Sequence, residues 1–179
     1  MWVRSEYAGE LAVLSTWLSV FIPWNVMYSP GIAGGSLLFV RFPFVQVRYS
    51  FGVPLAKALA VSDPFSAVAF QRGQSIRVAY ELWLVGAAVL AVAVVVSLVY
   101  YRRESWVESW AVDSVRLLGA LLSLTGLLFA GATYLLVTRG FPGVPVPVGV
   151  VFLLVFGVVL TTVERTDGDG DARADAERT

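Results

Sequence analysis

Four long apolar runs, separated by segments of different character, organise the chain. The first covers about residues 7–28 and carries no charge after Glu10. A helix needs roughly 20 apolar residues to cross a hydrocarbon core, so this run predicts a spanning helix. Pro23, Trp24 and Asn25 occupy its end and no small-x-small cleavage site follows, which favours a retained helix over a signal peptide. The second run, 78–101, contains GAAVLAVAVVVSLVYY without a charge after Glu81, and stops at Arg102 and Arg103. That is the pattern of a span ending at a cytoplasmic face. The third and fourth runs, 115–138 and 144–163, are separated only by Arg139-Gly140-Phe141-Pro142-Gly143. So short a turn predicts an antiparallel helical hairpin, with Pro145 and Pro147 in the opening turn of the last helix, where a missing amide hydrogen costs least.

Residues 29–77 break this pattern with turn formers and with Arg41, Arg48, Lys57, Asp63, Arg72 and Arg77. Within this loop, 36–51 reads SLLFVRFPFVQVRYSF, rich in aromatic and β-branched residues and flanked by Gly34-Gly35 and Gly52. It predicts a small hairpin, with Pro43 at an edge, a bend or the turn. Ser62-Asp63-Pro64 has the form of a helix start and Gly73 of a stop, predicting a short helix over 64–72. Between Arg102 and Ser114 the apolar positions Trp106, Val107, Trp110 and Ala111 recur at helical spacing opposite Glu104, Ser105, Glu108 and Ser109. The predicted fold is thus an all-α membrane protein. Four transmembrane helices form a domain over 1–163, joined by a long, partly β first loop, and a disordered acidic C-terminal tail covers 164–179.

Composition agrees with lipid as the solvent. Of 179 residues, 58% are hydrophobic and 15% charged, against roughly 45–50% and about 25% in soluble domains. The 13 basic and 13 acidic residues balance, so no global positive field invites nucleic acid. Basic residues near the ends of the first and second runs and in the short flanks (Arg4, Arg102, Arg103, Arg116, Arg165) put both termini in the cytoplasm and the loop 29–77 outside, in a multi-pass protein of the cell membrane. Cys and His are absent, which removes disulfides, thiolate nucleophiles, the usual zinc sites and the commonest general base. No cofactor is implied.

Candidate chemistry is sparse. Charged residues inside the runs, Glu10, Glu81, Asp113, Arg116 and Glu164, all fall near an end where side chains reach the head groups. Asn25 and Thr125 are the polar residues hardest to dismiss. Asp167, Asp169 and Asp171 imitate the start of a calcium loop, but Ala172 and Arg178 stand where its glycine and glutamate belong. Arg41, Arg48, Arg72 and Arg77 are the candidates to gather around a phosphate or lipid head group. Gly119, Ser123, Gly126 and Ala130 fall on one stripe of the third run, a close helix-packing surface within the chain or between copies. Trp2, Trp24, Tyr28, Trp83, Tyr100, Tyr101, Trp106 and Trp110 gather near run ends, as interfacial anchors do.

The opening MWVRSEYAGELAVLSTWLSVFIPWNV, with Arg4-Ser5-Glu6-Tyr7 and Pro23-Trp24-Asn25, and the loop and runs after it up to about Thr162, resembles a family of small, uncharacterised haloarchaeal membrane proteins. That resemblance implies an integral membrane protein and supplies no activity and no functional residues. The sequence points to a structural or accessory subunit without catalytic activity, with the lipid bilayer and another membrane protein or itself as partners. The alternatives are a small oligomeric transporter or channel and, behind it, a lipid-acting enzyme.

Overall fold

A computed structural model describes residues 2–102, 113–162 and 164–166. The amphipathic segment 103–112 and the tail from residue 167 lie outside the described residues. Helices α1 (Ser5–Phe21), α3 (Arg77–Arg102), α4 (Ser114–Thr138) and α5 (Val148–Thr162) pack side by side, and a short α2 (Pro64–Phe70) precedes α3. At one end of the bundle sits an antiparallel sheet of five strands: β2 (Asn25–Ile32), β3 (Gly35–Arg41), β4 (Gln46–Phe51), β5 (Leu59–Ser62) and β6 (Val144–Val146), in the order β5-β4-β3-β2-β6. At the other end β1 (Trp2–Arg4) pairs in parallel with β7 (Glu164–Thr166).

This overturns the all-α, four-span expectation. Among the described residues two helices, α3 with 26 residues and α4 with 25, are long and apolar enough to cross a membrane. Helices α1 and α5 have 17 and 15 residues; at about 1.5 Å per residue they fall short of a hydrocarbon core of roughly 30 Å. The first and last apolar runs each divide between a helix and a strand, and proline marks both divisions. Pro23 lacks an amide hydrogen and disfavours helical backbone at Ile22, so α1 stops at Phe21 and the chain extends into β2. Pro145 and Pro147 exclude helix over 144–147; Val144–Val146 instead forms an edge strand, where proline is tolerated, and α5 starts only at Val148.

The residues read as a loop supply most of the sheet. Strands β2 and β3 are joined across Ala33 and Gly34, at φ of 47° and 82°, the left-handed pair that matches strand twist in a two-residue hairpin. Strands β3 and β4 turn at 42–45, where the Phe42 amide donates to the Val45 carbonyl at 2.8 Å, so Pro43 lies in the turn itself. Asp63 caps α2, accepting from the Ser66 amide at 2.9 Å and its hydroxyl at 2.6 Å, with Pro64 at the first helical position. These bonds from Ser66 hold the Asp63 carboxyl below its ordinary pKa. Asp113 caps α4 in the same way, through the Val115 and Arg116 amides.

The core joins bundle and sheet. Trp24, just after α1, stacks on Phe129 of α4 at 5.0 Å between ring centroids and lies 6.1 Å from Trp83 of α3. Trp24 and Trp83 are each 1% exposed, so neither is an interfacial anchor. Trp83 donates its indole N–H to the Pro43 carbonyl at 2.9 Å, tying the β3–β4 turn to α3. At the start of α5 the Gly149 amide donates to the Pro23 carbonyl at 3.0 Å, one of the helix-end amides with no partner in its own helix.

Helices α4 and α5 meet along small residues. A Cβ at Gly119 would lie 2.9 Å from the Gly157 carbonyl oxygen, and one at Gly126 would lie 2.9 Å from the Leu154 side chain. The stripe Gly119, Ser123 and Gly126 is therefore spent on contact within the chain, while Ala130 packs half-buried against the core. A Cβ at Gly157 would come within 2.7 Å of the Ser123 amide nitrogen and 2.9 Å of the Gly119 carbonyl oxygen, both backbone atoms that cannot rotate away. Gly157→Val is expected to force α5 off α4 and to cost about 1–3 kcal/mol or more, read as a lower thermal midpoint of the purified protein. Gly131→Ala, where a Cβ would meet only the end of the Leu82 side chain at 2.9 Å, which can rotate away, is the comparison and should shift the midpoint less.

Candidate functional site

Alternation along the strands sorts the sheet into two unlike faces. Register pairs Asn25 with Arg41, Arg41 with Gln46, Phe39 with Arg48 and Gln46 with Ser62. Directly paired residues share a face and neighbours two apart rejoin it, so Asn25, Arg41, Gln46, Arg48 and Ser62 all lie on one face. The opposite face carries Tyr28, Tyr49, Leu59 and Val61, all exposed. The usual arrangement is therefore reversed: polar side chains collect on the face toward the helices.

Arg41 is the centre of that polar face and is 0% exposed. Its Nε donates to Gln46 Oε1 at 2.9 Å, one terminal nitrogen to Asn25 Oδ1 at 2.9 Å and the other to the Tyr80 hydroxyl at 3.2 Å. The guanidinium carbon lies 5.0 Å from the Phe39 ring centre, 5.1 Å from Phe141 and 5.7 Å from Tyr80, near enough for each π-face to stabilise the cation. Burial lowers the Arg41 pKa, and Tyr80 opposes that shift. Among the described residues no carboxylate pairs with Arg41. A fully buried guanidinium without a counter-charge is expensive, because dipoles and rings replace only part of its hydration.

Next to this cluster lies a cavity of about 870 Å³ between the polar sheet face, α2, the turn 71–76 and the turn after α4. Its walls include Gln46 and Tyr80, the partners of Arg41, together with Phe39 and Phe141. Arg41 thus stands behind the wall. Two further cations, Arg48 and Arg139, line the cavity, and among the described residues no carboxylate does. Arg139 is steadied at the rim by donating to the Ser75 carbonyl at 3.3 Å, while Ser75 donates to the Arg139 carbonyl at 3.4 Å. Ile32, Leu37, Phe70 and Ile76 supply an apolar side, and Gln71, Gln74, Ser62 and Ser66 a polar one.

Two buried polar atoms of this cavity have no hydrogen-bond partner in the described structure: Arg48 Nε and Gln71 Oε1. Leaving such an atom unpaired costs about 1–3 kcal/mol, and most buried polar atoms in native proteins are paired. The cavity therefore offers a positive field, a donor and an acceptor. Among the described residues, none that lines it is a His, Cys or carboxylate that could accept or deliver a proton.

Of the four arginines proposed from sequence, the sheet brings Arg41 and Arg48 to one face. Arg41 is enclosed and bonded on every nitrogen, so it acts on the cavity through its charge. Arg72 is exposed outside the cavity, and Arg77 pairs with Glu81 at 2.8 Å on the surface. Sequence reasoning did not single out Arg139, Gln71 or Tyr80 for the site. The legible signal was period two: with a turn at 42–45, Arg41, Gln46 and Arg48 must share a face. Asn25 proves to be a partner of Arg41, whereas Thr125 donates to the Leu121 carbonyl of its own helix at 2.8 Å.

A family model described as "Family of unknown function (DUF7549)" matches residues 1–165. No curated protein matches the chain.

Proposed function

We propose, from the premise that the chain belongs to the family of unknown function DUF7549, that it is a membrane-anchored accessory protein that binds rather than catalyses. In this reading α3 and α4 cross the bilayer, α1 and α5 lie against them, and the sheet forms a cap outside it. The observation that carries it is the apolar exterior of the long helices. Only 33% of the most apolar 18 residues of α3, and 39% of those of α4, are buried inside the protein. A core helix of a soluble protein would be mostly enclosed. Instead Val85, Val92 and Val95 of α3, Leu124 and Leu127 of α4 and Val151, Val155 and Val158 of α5 are exposed, a larger apolar exterior than soluble monomers present to water.

A binding role fits the cap better than chemistry or conduction does. The bundle interior is filled by Leu90, Leu118, Leu122, Phe129 and Leu153, and its hydroxyls on Thr16, Ser19, Thr125 and Thr133 donate to carbonyls one turn back. Side chains so occupied line no polar path through one copy.

The expected result on cell fractionation is that the protein sediments with membranes, stays there through high salt and alkaline washing, and is released by detergent. Recovery in the soluble fraction without detergent would end this reading.

A further inference from the structure

We propose that the cavity between the polar sheet face and α2 is a binding site for a hydroxylated phosphate ester, its phosphate held by Arg48 and Arg139 and its hydroxyls by Gln71 and its neighbours. This deepens the binding role above and rests on it.

The charge argument comes first. Two guanidinium groups line the cavity and a third, Arg41, stands behind Gln46 and Tyr80 in its wall, yet among the described residues no carboxylate lines it. Arg41 is buried and Arg48 half-buried, and a positive charge shielded from water in this way interacts more strongly with an entering anion than a solvated one does. The planar fork of arginine suits the oxygens of a phosphate, which can accept from both side chains at once. Arg48 has no hydrogen bond or ion pair among the described residues, and its Nε is buried. Its donors therefore remain for a ligand.

The second argument is independent of charge. Gln71 is only 7% exposed, and its Oε1 is a buried acceptor with no donor. A deprotonated phosphate has no donor to offer an acceptor; a hydroxyl has one. Gln74, Ser62 and Ser75 line the same cavity, so a head bearing several hydroxyls would find partners of both kinds. Phe39, Phe70, Ile76 and Phe141 also line it and give an attached hydrocarbon segment apolar surface away from water. The cavity, about 870 Å³, takes a head group with part of one chain. The same chemistry is carried by the head of an anionic glycerolipid and by a free polyol phosphate.

The test uses the full chain in neutral detergent, followed by native mass spectrometry with phosphatidylglycerol or zwitterionic phosphatidylcholine, and by calorimetric titration with glycerol 3-phosphate. Saturable retention of phosphatidylglycerol over phosphatidylcholine supports a membrane source. Comparable binding of glycerol 3-phosphate supports a soluble one, and either outcome supports the site. Arg48→Gln should weaken binding at least tenfold without lowering the ligand-free thermal midpoint, because Arg48 makes no bond in the fold. Arg48→Lys should restore part of the loss, and Gln71→Leu should weaken binding of the hydroxylated probes without changing the response to dimethyl phosphate, which carries no hydroxyl.

Binding of neither phosphate probe, equal retention of phosphatidylcholine, or full affinity in Arg48→Gln overturns the proposal. A chain that fractionates as soluble yet binds glycerol 3-phosphate through Arg48 would defeat the membrane reading and leave this one standing.

Discussion

Arg41→Met should lower the stability of the purified protein by about 2–4 kcal/mol, the largest polar effect expected in the cap. The substitution keeps the length and flexibility of the side chain but removes three donations, to Asn25, Gln46 and the Tyr80 hydroxyl. Each acceptor left buried and unpaired costs about 1–3 kcal/mol. Relief of the buried charge offsets part of that sum, because Arg41 has no carboxylate partner to repay its desolvation. Arg41→Lys should be nearly as harmful: one ammonium on a flexible stem cannot reach three acceptors arranged around a plane. Replacing Arg41, Asn25 and Gln46 together by Met, Leu and Leu should recover much of the loss, since unpaired acceptors vanish with the donor. Thermal midpoints in one detergent decide the matter; an Arg41→Met protein as stable as the parent would show that the three contacts contribute nothing net.

Trp83→Ala should destabilise by roughly 3–5 kcal/mol, as large-to-small changes at enclosed aromatic sites do. Trp83 is 1% exposed and touches both halves of the protein: its ring lies 6.0 Å from Tyr80 and 6.1 Å from Trp24, and its N–H reaches Pro43 in the sheet. Trp83→Phe separates the two contributions. It keeps most of the ring packing and loses the donation, leaving the Pro43 carbonyl unpaired at about 1–3 kcal/mol. Hydrogen exchange locates the damage. In Trp83→Phe the amides of the β3–β4 hairpin should exchange faster while the middle of α4 stays protected; uniform acceleration across the chain would mean that the indole does not serve as a tie between cap and bundle.

These two residues also mark what the proposed membrane role asks of the fold. The cap is joined to the helices by Trp24, Trp83 and Tyr80, so it is held rigidly where the helices end. A site placed there, as proposed, sits where a lipid head group could reach it. The groups that would read the ligand come from five separate stretches: Phe39 and Arg48 in strands, Gln71 after α2, Tyr80 in α3 and Arg139 after α4. No local motif could have carried that list.

The sequence by itself determined the strongly apolar composition, the helical course of the runs through α3 and α4, the turn chemistry at Asp63-Pro64 and the strand character of residues 36–51. These are readable because continuous apolar runs, caps and period-two alternation act over a few neighbouring residues. The division of the first and last runs was decided by tertiary structure. Apolarity alone does not separate a buried helix from a strand, and Asn25–Ile32 and Val144–Val146 become strands because β3 and β2, respectively, lie alongside to take their backbone hydrogen bonds. The destination of the arginines was likewise undecided by the chain. Whether a guanidinium faces solvent, an acid or a ring depends on which distant residues surround it, and only the packing of the sheet against α2 and α3 turned Arg41 inward, left Arg48 beside a cavity and brought Arg139 to its rim.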